Sequence, residues 1–391
     1  MSEWKTILTR LASNADEKFD ELKYRLADRL ESGDPVMILP YRGYGTRRTI
    51  HMFGRVLEDS GIRGSTDNDT VWQNLLTTYR RINSDEVPNV RIGIRYGATE
   101  EIGTTDGEGY FRFELTLPED LPADTLHHEV ELWLPDEVRG RSDITATGQL
   151  VVPPAEADFG VISDIDDTII QTSATNLLTA ARLTFLENAR TRQPFEGVAA
   201  FYRALLAGPA GTATNPLFFV SSGPWNLYDL LVEFMEHNDI PSGPIFLQDY
   251  GVEPDMLIHR EHLAHKTTAI ARLMETYPNL PFVLIGDSGQ HDPEVYRAIV
   301  EKYPGRVKAI YIRDVSVDER DAEVSKIADE LKPGGVTMIL TPDSRAAAEH
   351  AAGIGLIKPE AKPVIETATE IDKAQPEETE QIVKEVTGGE G

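Results

Sequence analysis

The chain has 391 residues, no cysteine and a formal net charge of -27, with 40% apolar and 26% charged residues. That length exceeds one typical core and predicts two domains with loose ends, of ordinary soluble composition. Without cysteine there are no disulfides, thiolate metal sites or cysteine nucleophiles, which fits a reducing compartment; the acidic balance argues against nucleic acid as a partner, because Lys and Arg hold phosphate backbones.

The N-terminal stretch MSEWKTILTRLASNADEKFD carries charges throughout. It has no apolar core of a secretion signal, and no run in the chain is long and apolar enough for a membrane span. A cytoplasmic protein is the expectation. Within residues 1–33, Trp4, Ile7, Leu8, Leu11, Phe19, Leu22, Leu26 and Leu30 recur at three- and four-residue spacing. This predicts a helix over 3–32 that packs on the body. Its polar face mixes acids and bases, unlike the basic face of membrane-surface helices.

Residues 34–154 read as strands. VMILPY, TIHMFGRVL, NVRIGIRY, YFRFELTL and HEVELWL are short β-type runs, several of them alternating, with one helix predicted over Asp69–Arg81. Asp106-Gly107 and Glu108-Gly109 supply a turn before YFRFEL, and Pro118 and Pro122 close that strand. A small β-sandwich follows, a binding or packing module with no chemical cluster. TTDGEGYFRFEL resembles the strand-turn-strand of transthyretin-like sandwiches.

From 155 to 357 the pattern changes. FGVISD, LFFVSS, PIFLQ, FVLIGD, VKAIYIRD and VTMIL are continuous apolar runs, as in strands buried on both faces. Helical patterns lie between them, so the fold class is α/β, with a parallel, doubly wound sheet. Residues 358–391 are rich in Glu, Pro, Lys and Thr and predict an acidic disordered tail.

Ligands of such sheets bind at the carboxyl ends of the strands. Four places there carry candidate chemistry. In FGVISDIDDTI, Asp164 ends a strand, with Asp166 and Thr168 two and four residues on. Crowded carboxylates repel unless a hard cation with oxygen ligands, typically Mg²⁺, sits among them; a solvated turn is the plainer alternative. In LFFVSSGPW, Ser221 and Ser222 precede a turn at Gly223-Pro224; their hydroxyls either cap the next helix or hold phosphate. In HLAHKTTAI, Lys266 lies at or near a helix start, where the macrodipole disfavours it, so it is either exposed or reaching toward an anion. His259, His262 and His265 have no ligand spacing. In FVLIGDSGQHDPEVY, Asp287 ends a strand and Asp292 precedes Pro293 as an N-cap would.

In this order the segments resemble the haloacid-dehalogenase phosphohydrolase signature over roughly residues 158–315: DxDxT, a strand-end Ser, a Lys, then GDxxxxD. FEGVAAFYRAL, VSSGPWNLYDLL, FVLIGDSGQHDPEVY and AIYIRDV further resemble the phosphatidate phosphatase family named for an actin-patch protein, and YRGYGT and GRVL resemble its N-terminal region. The resemblance implies a Rossmann-like catalytic domain and a phosphorylated substrate, a lipid at a membrane surface. It makes Asp164 the nucleophile, since only that residue has an acid at +2 and Thr at +4, and Asp166 the acid and base. It gives Lys266 and Ser221 to charge stabilisation, Thr168, Ser222 and Gly223 to substrate binding, and Asp164, Asp166, Asp287 and Asp292 to Mg²⁺. Gly223–His265 leaves no room for a separate cap domain, and Ala174–Arg192 predicts one helix beside an open site. Two other readings stand: a phosphatase for a phosphoprotein, nucleotide or sugar phosphate, and a non-enzymatic scaffold, which has no need of the four aspartates.

Overall fold

The computed structural model describes residues 35–58, 86–165, 168, 195–248, 258–315 and 318–374. The helices predicted over 3–32, Asp69–Arg81 and Ala174–Arg192 lie outside the described residues, as do Asp166 and Asp167.

The N-terminal half is built of strands: β1 (Val36–Pro40), β2 (Gly43–Gly45), β3 (Thr49–Glu58), β4 (Arg91–Tyr96), β5 (Thr99–Thr104), β6 (Tyr110–Thr116), β7 (His127–Trp133) and β8 (Thr145–Val151). They pair in the order β1-β3-β2-β8-β7-β4-β5, with β6 along the other edge of β3. Every pairing is antiparallel except β2 with β8. Alternation sets which face is buried. In β6, Phe111, Phe113 and Leu115 point inward, while Arg112, Glu114 and Thr116 face solvent. These join Ile50, Met52, Ile92, Ile94, Val130 and Leu132 in one core.

The second half is α/β. Its strands are β9 (Gly160–Asp164), β10 (Leu217–Pro224), β11 (Ile245–Gln248), β12 (Phe282–Asp287), β13 (Val307–Arg313) and β14 (Thr337–Thr341). All pairings are parallel, in the order β11-β10-β9-β12-β13-β14. The helices are α1 (Val198–Ala207), α2 (Tyr228–His237), α3 (Ile258–Thr276), α4 (Asp292–Lys302), α5 (Asp318–Leu331), α6 (Ser344–Gly353) and α7 (Ala361–Ala374).

Two cores explain why the strands read as unbroken apolar runs. On one face Val161, Phe219, Val283 and Tyr311 meet α1, α2, α6 and α7. On the other, Ile162, Phe218, Leu284 and Ile310 meet α3, α4 and α5. Strands after β9 are added on one side up to β11, and from β12 onward on the other. The order in which strands are added therefore reverses between β9 and β12, and such a switch point opens a crevice at the carboxyl ends of those two strands.

One expectation is corrected. Residues 361–374 are not a disordered tail but helix α7, with Ile365 and Thr369 buried. The Asp372 carboxylate accepts a hydrogen bond from the Gly197 N–H at 2.8 Å, and Lys373 Nζ donates to Asp343 Oδ2 at 2.6 Å. A single narrow apolar stripe suffices here because the helix needs to cover only a groove between α1 and α6, and bulk composition hides such a stripe. Residues 375–391 lie outside the described residues. Among the described residues no helix is long and apolar enough to cross a membrane.

Candidate active site

Asp164 and Asp287 close β9 and β12, which pair in parallel with Ile285 beside Ser163, so both carboxylates emerge at the switch point. Asp164 is 2% exposed, Asp287 and Asp292 0%, and Lys266 5%. Lys266 Nζ lies 2.7 Å from Asp164 Oδ1 and 2.7 Å from Asp292 Oδ1. It also donates to Gln290 Oε1 at 3.2 Å. The other oxygen of Asp292, Oδ2, accepts the Asp287 backbone N–H at 3.1 Å, and Asp287 Oδ1 accepts the Gln290 N–H at 2.8 Å. Gly286 makes room for this arrangement: a Cβ there would lie 2.4 Å from Asp292 Oδ2.

Burial alone would strip the proton from Lys266, but the Asp164, Asp292 and Asp287 carboxylates outweigh it and hold the ammonium form. One ammonium faces three carboxylates. Asp164, Asp287 and Asp292 each offer an oxygen, all within 4.8 Å of one another. A buried set of oxygen donors with acidic excess fits a hard divalent cation. Asp292 is equally the partner that fixes Lys266.

Two local expectations are corrected. Lys266 sits in the middle of α3, which begins at Ile258, so its place owes nothing to the helix macrodipole. Its position on the helix face turned toward β9 decides instead. Asp292 is the first residue of α4 behind an N-cap at His291, and its carboxylate turns inward to Lys266 rather than capping the helix.

The second motif differs from a simple strand-end turn. Gly223 and Pro224 are still part of β10, and the helical turn begins at Trp225. Val220 lies beside Asp164 in the ladder, so Ser221 and Ser222 come just past the level of Asp164, and both are buried. Ser221 Oγ accepts the Gly223 N–H at 2.9 Å. Thr168 is 2% exposed, and its hydroxyl has no hydrogen-bond partner among the described residues. Burial lowers the His265 pKa, which favours the neutral ring. In the stretch where no cap domain was expected, the described residues hold α2, β11 and the first part of α3, and residues 249–257 lie outside the described residues.

Several supporting residues carried no sequence signal. Ser163 Oγ donates to the Asp164 carbonyl at 2.7 Å and pairs with Tyr202 Oη at 2.6 Å. Tyr296 Oη donates to the Ile285 carbonyl at 2.7 Å. Arg320 donates to the Ser288 and Gln290 carbonyls at 3.0 and 2.8 Å and pairs with both oxygens of Glu294, pinning the loop between Asp287 and Asp292. Gln290 was legible only as a spacer inside GDSGQHD.

Residues 159–314 match the family model described as phosphatidate phosphatase APP1, catalytic domain. Phosphatidate phosphatase APP1 of Saccharomyces cerevisiae is 29% identical over 255 residues, which is 62% of this chain and 41% of that protein. An uncharacterized protein of Schizosaccharomyces pombe is 29% identical over 162 residues, 41% of this chain and 26% of its own. The chain thus spans less than half the length of either relative. A solved carbohydrate acetylesterase from Xanthomonas citri aligns at 10% identity over 74% of this chain and 72% of its own with a TM-score of 0.23, an overlap too low to bear on the fold. The matched span begins at the first residues of the Asp164 strand and ends just past β13, so it contains every aspartate of the site together with Lys266. Over residues 159–314 the chain is similar to the catalytic domains of the actin-patch-type phosphatidate phosphatase family.

Proposed function

We propose that this chain is a Mg²⁺-dependent phosphomonoesterase of the haloacid-dehalogenase type that removes phosphate from phosphatidate or a related lipid phosphate. The observation that carries the reading is the buried Asp164–Lys266–Asp292–Asp287 cluster at the β9/β12 switch point, inside the span matched to the family. In this reading the six-stranded unit is a haloacid-dehalogenase domain and the N-terminal half a small transthyretin-like sandwich. The protein works from the aqueous side of a membrane, in the cytoplasm.

The chemistry follows from the side chains. An Asp164 oxygen attacks phosphorus in line, the bond to the leaving oxygen breaks, and an aspartyl-phosphate forms. Asp166 gives its proton to the leaving oxygen and then takes one from the water that attacks the aspartyl-phosphate. That second step releases phosphate and restores Asp164. Lys266, held by Asp292, balances charge on the transferring group, and Ser221 donates to it. Ser222, Gly223 and Thr168 line the substrate side. Mg²⁺ would be held by Asp164 and Asp287 with Asp166 and Asp292, and would neutralise charge between phosphate and nucleophile.

The test is phosphate release from phosphatidate in mixed micelles, beside soluble phosphomonoesters and a phosphoprotein, with Mg²⁺ and with EDTA. Mg²⁺-dependent release from phosphatidate is the expected result. Release confined to the soluble esters would move the substrate to the non-lipid class. Folded protein inactive on every arm would overturn the phosphatase reading.

A further inference from the structure

The motif YRGYGT belongs to the N-terminal half, yet its aromatic rings are not in that half's core. Tyr41 is 4% exposed and packs in the core on one face of the parallel sheet. Tyr44, three residues on, packs in the core on the opposite face. Gly43 between them sits where a Cβ would meet the His51 carbonyl oxygen at 2.5 Å, so the two tyrosines are carried by a tightly packed backbone. Strand β11 is the edge of the parallel sheet, with β10 next to it. The N-terminal half therefore grips that edge from both sides.

The grip lands on one segment. Trp225 packs against Tyr41, stacked at 5.3 Å with 2° between planes, and against Phe53 at 4.2 Å, and those two rings also meet each other at 5.5 Å. Tyr41 also stacks on Tyr228 at 3.9 Å, whose hydroxyl accepts the Arg42 N–H at 2.7 Å. On the other face Tyr44 meets Phe246 of β11 at 5.1 Å. Trp225 follows Ser221-Ser222-Gly223-Pro224 directly, and regular pairing lapses there. β10 pairs β9 only as far as Val220, and its register with β11 jumps from Val220↔Phe246 to Pro224↔Gln248. Three residues of β10 thus face one of β11, so the ladder does not fix the phosphate-binding hydroxyls in place. Pairing resumes at Pro224, and Trp225, directly after it, is the first large side chain beyond the gap.

We propose that the N-terminal β half is a positioning element for the phosphate-binding segment Ser221–Gly223, acting through a clamp in which Tyr41 and Phe53 hold Trp225. The inference rests on the phosphatase reading above. It gives the β half a part in the reaction and makes Trp225, Tyr41 and Phe53 positioning residues. Misplacing a phosphate-binding group by about 1 Å costs on the order of a hundredfold in rate.

The experiment is a double-mutant cycle on phosphate release, with circular dichroism on each variant. Trp225→Ala lowers kcat/KM by roughly ten- to a hundredfold in the otherwise wild-type chain, with kcat falling as well as KM rising. In a Ser221→Ala background the same change costs about threefold or less, because the group it positions is already gone. Trp225→Phe, which keeps a ring in the clamp, restores most of the rate. Should Trp225→Ala not fold, Phe53→Leu and Tyr41→Leu enter the same cycle with the same expectation. Equal losses in both backgrounds, or a lower melting temperature with unchanged kcat/KM, would overturn the clamp while leaving the phosphatase reading intact. A wild-type chain inactive on every ester would remove that reading, and the clamp with it.

Discussion

Lys266→Met is the most revealing perturbation of the site, because it separates the charge of the ammonium from its volume. Lys266 is 5% exposed and sits 2.7 Å from each of two carboxylates that are themselves 2% and 0% exposed. Methionine fills nearly the same space and leaves both acids buried against a third, Asp287. Breaking a buried ion pair from one side costs about 3–5 kcal/mol, since the remaining charge has lost its partner but not its burial. For a chain of 391 residues, at about 2 cal/mol/K of unfolding entropy per residue or roughly 1 °C per kcal/mol, the melting temperature in EDTA falls by about 4–6 °C. Millimolar Mg²⁺ should raise the variant's melting temperature more than the wild type's, because it binds the folded cluster and not the dispersed carboxylates of the unfolded chain. Phosphate release should drop on the order of 10²–10³-fold with Mg²⁺ present, the usual cost of losing a charge-stabilising group. Melting by circular dichroism in EDTA and in Mg²⁺, with phosphate release from the same preparations, measures all three. A variant that melts within about 2 °C of wild type in EDTA would refute the argument, since it would mean that the aspartates bear no uncompensated charge.

Asp164→Asn keeps the shape of the nucleophile but not its charge, and should abolish phosphate release with the circular dichroism spectrum unchanged; turnover near the wild-type rate would remove Asp164 from its role. Deleting residues 359–391 takes away Ile365, Thr369 and the Asp372 contact to Gly197, and should lower the melting temperature by several degrees, whereas deleting 375–391 should leave it within about 2 °C. The first deletion also carries a pH signature. Burial works against the Asp343 carboxylate, but hydrogen bonds from Arg345 and Lys373 outweigh it and hold its pKa well below the ordinary 3.8. A depressed folded pKa contributes stability above the unfolded value that is lost as pH falls below it, so the gap between the full and shortened chains should narrow below about pH 4.

Asp164 and Asp287 were legible because each ends an apolar run that only a doubly buried strand explains, and strand ends are where such sheets bind ligands. Lys266 was legible by its order in the motif but not by its place on a helix, because α3 begins before the residues whose periodicity is clear. Gly223-Pro224 reads as a turn from residue type, yet Pro224 is compatible with an extended backbone at φ -76°, ψ 156° and stays in the strand. Gln290, Ser163, Tyr202 and Arg320 gave no signal because each acts through a few individual hydrogen bonds, several of them between residues far apart in sequence, which leave no periodicity. Helix α7 was missed for a related reason. Its buried residues, Ile365 and Thr369, are one turn apart in a segment otherwise rich in charge.

The family match and the folding unit do not coincide, and the two cores show why. The match covers residues 159–314. The core on one face of that span also contains Tyr41 from the N-terminal half, Ala347 and Ala351 from α6 and Ile365 from α7. The core on the other face takes Tyr44 from the N-terminal half, Val324, Ile327 and Leu331 from α5 and Met338 from β14. Cut out alone, residues 159–314 would expose the β13 edge where β14 pairs, the apolar surface that α5, α6 and α7 cover, and the rings of Trp225 and Tyr228. Exposed apolar surface of that extent and an open strand edge invite aggregation rather than a smaller enzyme. The candidate site lies in the matched span, but the structure that holds Asp164, Lys266, Asp287 and Asp292 at their distances runs from Tyr41 to α7.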